Sequence, residues 1–180
     1  MKKILSVVLA ALMLLSVASF TSCGETKAEE LSFGMGISAS YGDVTNADGE
    51  TNGKGEVVAT VAAVLVDGEG KIVKCVLDTA DNTVEYTSAG VAVAGEFATK
   101  RELGDNYMMA AYGSDLNGDG KVLEWYAQAD AFEAACVGLD ANGISALVGE
   151  SGYYGTEALA NAGCTMGVAS LVAVAVKAAQ

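Results

Sequence analysis

Two β-branched runs, Glu56 to Val66 (EVVATVAAVLV) and Ile72 to Leu77 (IVKCVL), are joined by the polar loop Asp67-Gly-Glu-Gly-Lys71. A polar, Gly-containing loop of that length between two such runs closes a β-hairpin. The first arm is apolar on both faces, so one side takes helices and the other stays partly covered. In the second arm Lys71 and Lys74 break the apolar run. The chain therefore has to build an antiparallel sheet around this hairpin and supply helices to cover it.

The helices come later. From Lys121 on, Val122, Trp125, Ala129, Phe132 and Cys136 recur at steps of three and four, which puts them on one stripe. Glu124, Asp130 and Glu133 fall off that stripe, and Gly138 supplies a stop. A shorter helix is expected at Asp105 to Tyr112, with Asp105 as N-cap and Gly113 as its end. The segment Met166 to Ala179 is small and apolar with almost no polar face, which reads as a buried helix rather than a membrane span.

Short strands are expected at Gly34 to Ser40, at Val84 to Tyr86 and at Ser88 to Ala94, with turns at Asp48-Gly49, Asn52-Gly53 and Asp140 to Gly143. Ile144 to Val148 reads as a short element, and Ser151 to Gly155 as a loop that sets two Tyr side by side. The fold class is α+β, a single domain with an antiparallel sheet built on the central hairpin and helices packed against it.

The 180 residues include no His and no Pro. Without His the commonest general base, the Ser-His and Cys-His pairs and the commonest transition-metal ligand are all missing. No carboxylate pair stands out by spacing, so a hydrolase is the least favoured class. A formal charge of −13 argues against nucleic acid and against adhesion to anionic lipid.

Met1-Lys2-Lys3 is a basic start, Ile4 to Phe20 an apolar run, and Thr21-Ser22-Cys23 closes it with small residues before a Cys. This pattern is a secretion signal. Phe20-Thr21-Ser22-Cys23 resembles a lipobox with Phe20 in place of the usual Leu. On that reading residues 1–22 are a lipoprotein signal peptide and Cys23 carries the lipid. Residues 23–54 form the tether and lead-in, and residues 55–180 the folded domain. Two acyl signals suffice for stable anchoring, which places the protein on the extracytoplasmic face of the cell membrane. The remaining Cys75, Cys136 and Cys164 form no CxxC, so zinc and disulfide exchange are disfavoured. Cys75 and Cys136 read as buried packing, and one disulfide among the three is left open.

Two stretches hold candidate site chemistry. Asp115-Leu-Asn117-Gly-Asp119-Gly120 follows the opening of an EF-hand calcium loop, with oxygens at positions 1, 3 and 5 and Gly at 6. Position 12, the bidentate Glu of such loops, is Tyr126 here, so any Ca2+ would be weakly held and structural; the alternative is an acidic surface turn. The second stretch, Leu159 to Met166, leads into the last helix. Small residues followed by Thr165 at a helix start bring a hydroxyl and free backbone N–H groups together as a phosphate seat, or simply as a helix cap.

The runs TKRELGDNYMM (residues 99–109) and EWYAQ (residues 124–128), with the hairpin centre and Leu77-Asp78, resemble a family of secreted Firmicutes lipoproteins similar to FMN-binding domains. The resemblance covers most of residues 55–179. It implies FMN joined through a phosphoester to Thr165, preceded by Gly163 and Cys164, by a separate flavin transferase. Leu159, Ala162, Cys164 and Gly167 depart from that family's motif. A flavin would draw on Trp125, Tyr126, Tyr107, Met108 and Met109 for ring surface, and on Arg101 and Lys100 for its phosphate. Each has a plainer role: Trp125 as a core anchor, Lys100 and Arg101 as salt-bridged partners of Glu102. The expected functions are extracytoplasmic electron transfer through bound flavin with a redox partner, or a non-enzymatic binding or scaffold lipoprotein that keeps the fold without flavin, with calcium stabilisation as a further variant.

Overall fold

The computed structural model describes residues 30–95, 97–113 and 122–180, and all the elements below lie in the compact unit Leu31–Gln180. The hairpin forms as expected but is longer. β2 (Gly53–Val66) and β3 (Ile72–Tyr86) pair antiparallel, with Val64 opposite Cys75 and Val57 opposite Asn82. In the turn between them Asp67 Oδ1 accepts from the backbone N–H groups of Glu69 and Lys71, both at 2.9 Å. β1 (Ser32–Thr45) adds to the outer side of β2, so the sheet order is β1-β2-β3.

Three of the expected strands need correction. β1 spans fourteen residues rather than Gly34 to Ser40, because its Gly and Ser alternate with Phe33, Met35 and Ile37, a period-2 pattern that a loop-like composition obscures. β3 runs unbroken through Asp78 to Thr83. Its polar side chains are satisfied by the segment beside them: Asn82 Oδ1 accepts from Ala98 N–H at 3.3 Å and Asp81 pairs with Lys100 at 3.2 Å. Burial works against the Asp81 carboxylate, yet its hydrogen bond with Glu56 and the Lys100 ammonium still bring it below the ordinary range. Ser88 to Ala94 is not a strand. Gly90, at φ +75°, turns the chain after Thr87, and only Ala92 bridges back to Tyr86.

In place of the one helix expected at Asp105 to Tyr112 there are a 3-10 turn (Gly104–Tyr107) and α2 (Met109–Tyr112), preceded by an unexpected short helix, α1 (Lys100–Leu103). Thr99 caps α1 in a capping box with Glu102, whereas Asp105 lies inside the 3-10 turn and caps nothing. Met108 at φ +60° breaks the run. The freed N–H groups of Met109 and Ala110 then donate to the Glu124 carboxylate at 3.0 and 3.2 Å. α3 (Trp125–Cys136) starts four residues after Lys121, and the stripe Trp125, Ala129, Phe132, Cys136 is buried. Gly138, at φ +81°, follows it as the stop and donates to Ile72 O.

Asp140 caps a short helix, α4 (Ala141–Ser145), where a turn was expected, so Ile144 is helical and buried. Thr156 caps α5 (Glu157–Asn161). The last helix, α6 (Ala169–Ala178), begins three residues later than the Met166 start expected. It lies across β1 and β2 while α3 lies across β3. Together they bury Ala62, Val64, Cys75 and Leu77 on one face of the sheet. Each large side chain fully buried there contributes about 1.5–3 kcal/mol. Cys75, Cys136 and Cys164 are free and buried, and burial pushes the Cys164 thiol up to about 11. No helix among the described residues is long and apolar enough to cross a membrane.

Candidate functional site

The most constrained polar group in the domain is Gln128, which shares the inner side of α3 with Trp125 and Phe132 and is 2 % exposed. Its amide is used at both ends. Nε2 donates to Leu123 O at 2.8 Å and to Met109 Sδ at 3.2 Å. Oε1 accepts from the backbone N–H of Thr165 at 2.9 Å, from Met166 N–H at 2.8 Å and from Thr165 Oγ1 at 3.2 Å. A buried amide must find partners for its carbonyl and its NH2, and here it finds them in the loop before α6. Gly163 opens that loop at φ +104°, a conformation that glycine adopts without strain. Cys164 is buried beneath it.

Beside this lock lies an open cavity of about 190 Å³, lined by Met109, Gln128, Tyr153, Tyr154, Thr165 and Met166 among others. The two Tyr meet edge to face with ring centroids 4.9 Å apart, the geometry that aromatic quadrupoles prefer. Ser151 Oγ accepts from both of their backbone N–H groups, at 3.2 and 3.0 Å. Gly167 lets the Tyr153 ring sit on the backbone, where a Cβ would overlap it. Val168 N–H donates to Tyr153 O at 2.8 Å. The wall is thus hydroxyl, thioether and aromatic. Among the described residues no carboxylate, amine or thiol lines it.

The principal flavin candidates fall in two places. Thr165 lines the cavity and Gly163 shapes its loop, whereas Arg101, Tyr107 and Trp125 form a separate cluster that does not line it. Arg101 clamps β3 to α3. Its Nε donates to Leu77 O at 2.7 Å, one terminal nitrogen to Asp130 at 2.8 Å, and the other to Glu133. Glu133 also accepts from Leu77 N–H at 2.8 Å. Burial of the guanidinium works against its charge, but the Asp130 and Glu133 carboxylates outweigh that and raise its pKa. Trp125 is 3 % exposed beneath it, with the guanidinium carbon 5.9 Å from the ring centroid. Lys100 sits 4.7 Å from the Tyr107 ring centroid while paired with Asp81. The partners of these cations are Asp81, Asp130 and Glu133, not the neighbouring Glu102 that the sequence suggests.

Thr165 lies before the N-terminus of α6, not on it, and its N–H and that of Met166 are already bonded to Gln128. Flavin mononucleotide fits this site poorly. Ligands of that class occupy pockets of about 300–1,000 Å³, and the donors that a phosphate would seek are held by an internal carbonyl. Asp115, Asn117 and Asp119 lie outside the described residues, as does Cys23. Among the described residues no group of three or more Asp, Glu, Cys or His is placed to hold a metal ion.

Gln128 is the residue that sequence reasoning missed. It is a polar residue one turn after Trp125, on the apolar side of a helix, and that position is the signal that marks a buried polar partner. Compared with known proteins, the chain matches no family model, no curated protein and no solved structure.

Proposed function

We propose that the protein is a lipid-anchored, extracytoplasmic binding module with an FMN-binding-like domain that does not itself carry flavin. One observation carries this reading: the Gln128 carbonyl accepts from the Thr165 N–H, the Thr165 hydroxyl and the Met166 N–H, so the seat is filled from within. The cavity beside it offers Tyr hydroxyls, thioether sulfur and aromatic surface, which suit a small, uncharged ligand with one aromatic or aliphatic face. A lipid anchor at Cys23 holds this module at the membrane.

A second reading, flavin attached at Thr165, is favoured by the hydroxyl of that residue lining a cavity between Tyr and Met side chains. Intact mass and a visible spectrum of the full chain, co-expressed with a flavin transferase and supplied with FAD, separate the two. We expect an unmodified, colourless protein. A mass increase of one FMN with flavin absorbance, lost in Thr165→Ala, would replace the binding-module reading with that of an electron carrier. Anchoring is tested separately: Cys23→Ala should release the exported protein from the membrane fraction, and retention there would exclude the lipid anchor.

A further inference from the structure

Cys75 of β3 and Cys136, the last residue of α3, meet across the joint between sheet and helix. Hydrogen bonds on both sides of the pair fix this register. On one side Glu133 Oε1 accepts from Leu77 N–H at 2.8 Å. On the other, Gly138 N–H donates to Ile72 O at 2.8 Å and Ile72 N–H to Leu139 O at 2.9 Å. The strand from Ile72 to Leu77 therefore runs antiparallel to the chain from Glu133 to Leu139, with the two Cys between the ties. Cys75 shares the covered face of β3 with Leu77, and Cys136 ends the buried stripe of α3. The two thiols hydrogen-bond to each other. Cys164 is placed differently, with burial and the Met166 backbone acting on it.

The pair is also asymmetric. Cys75 lines an open cleft of about 570 Å³ between β3 and α3, together with Lys74, Asp130 and Glu133 among others, whereas Cys136 does not line it. At 1 % exposed, the Cys75 sulfur sits at the floor of that cleft. The hydrogen bond from Cys136 lowers the Cys75 pKa against the opposing effect of burial, with Lys74 and Arg101 adding to the pull. The same hydrogen bond, and burial with it, raise that of Cys136. The sulfur that the cleft reaches is thus the better nucleophile, and the enclosed one is held as a thiol beside it.

We propose that Cys75 and Cys136 are a peroxide-oxidisable dithiol pair, Cys75 attacking and Cys136 resolving, whose disulfide ties β3 to α3. The Cys75 thiolate attacks one oxygen of hydrogen peroxide and the O–O bond breaks. The departing hydroxide recovers the proton that Cys75 released and leaves as water, and Cys75 becomes a sulfenic acid. Cys136 then gives up its proton and attacks the Cys75 sulfur. The S–O bond breaks, a second water leaves and the disulfide closes. Two thiols are oxidised and one peroxide is reduced. A small neutral oxidant suits this site, because the sulfur is barely exposed, two carboxylates line the cleft and the chain carries −13. The bond lies one turn of α3 beyond the Arg101 clamp and closes a loop of about 60 residues, which restricts the unfolded chain.

The test exposes the reduced, purified full chain to hydrogen peroxide, alkylates it in denaturant and maps its Cys by mass spectrometry. A cross-link between the Cys75 and Cys136 peptides is expected, with Cys164 alkylated. The linked form should melt roughly 5–15 °C higher, and dithiothreitol should reverse the rise. In Cys136→Ala, dimedone should trap a sulfenic acid at Cys75; in Cys75→Ala, Cys136 should remain a thiol. A cooperative melting transition before oxidation shows that each variant is folded, and the wild-type map decides the pairing without them. Recovery of Cys75 and Cys136 unlinked overturns the proposal. So does a link through Cys164 or Cys23 instead, a linked form that melts no higher, or dimedone on Cys136 rather than Cys75.

Discussion

Gly36→Val is expected to be among the most damaging single changes in the sheet. The backbone of α6 lies directly on β1, and a Cβ on Gly36 would overlap the Val174 carbonyl and the Lys177 Cβ. Neither is the far end of a flexible side chain, so the helix itself has to move away. Retreat loosens the contact between Val174 and Ala175 of α6 and Ala62 and Val64 of β2, all of them buried. Overpacking against side chains costs about 1–3 kcal/mol. Against backbone the expected loss is ~3 kcal/mol or more, a fall of about 10 °C in melting temperature for a unit of this size. Gly55→Ala is the control. It is also a strand Gly, but nothing lies within 4 Å of its Cβ, so its effect should stay within about 0.5 kcal/mol of zero. Equal losses at both positions would show that strand Gly content, and not helix contact, sets the cost.

The hairpin, the apolar stripe of α3, the buried last helix and the α+β class were all legible, because each rests on periodic hydrophobic residues. β1 was legible only in part. Gly34 and Gly36 look like loop residues, yet Gly at alternate positions is also what a strand needs where a helix backbone presses on it. The broken helices around Tyr107 were not legible at all. Their ends are set by long-range partners, the Glu124 carboxylate on α2 and the Asp78 carboxylate accepting from Arg101 N–H at 3.3 Å on α1. Local propensity has no view of such contacts. The same holds for the site. Thr165 was singled out from its neighbours in the chain, but the group that governs it, Gln128, lies 37 residues earlier and meets it only through the fold. Arg101 and Trp125 were picked for chemistry that a bound cofactor would need, and the structure gives both to the joint between β3 and α3.

Gln128→Leu separates a lock from a filler. Leu keeps nearly the same volume, so the apolar contacts of α3 survive, but the Leu123 carbonyl and the N–H groups of Thr165 and Met166 each lose a partner. A buried backbone group left unpaired costs about 1–3 kcal/mol. With part of the loop able to reach solvent at the cavity mouth, the expected loss is about 3–5 kcal/mol. Thr165→Val removes only the hydroxyl contact and should cost about 1 kcal/mol. Hydrogen exchange adds a readout that a general loss of packing would not reproduce. In Gln128→Leu the amides of Thr165 and Met166 should lose protection while those of β2 and β3 keep theirs. If all amides lose protection together, Gln128 acts through core packing, and the closed seat on which the binding-module reading stands loses its support. If the two loop amides alone open, the hydroxyl of Thr165 is released with them. Repeating the flavin-transferase experiment on this variant then asks whether the Gln128 amide is what keeps the wild-type chain unmodified.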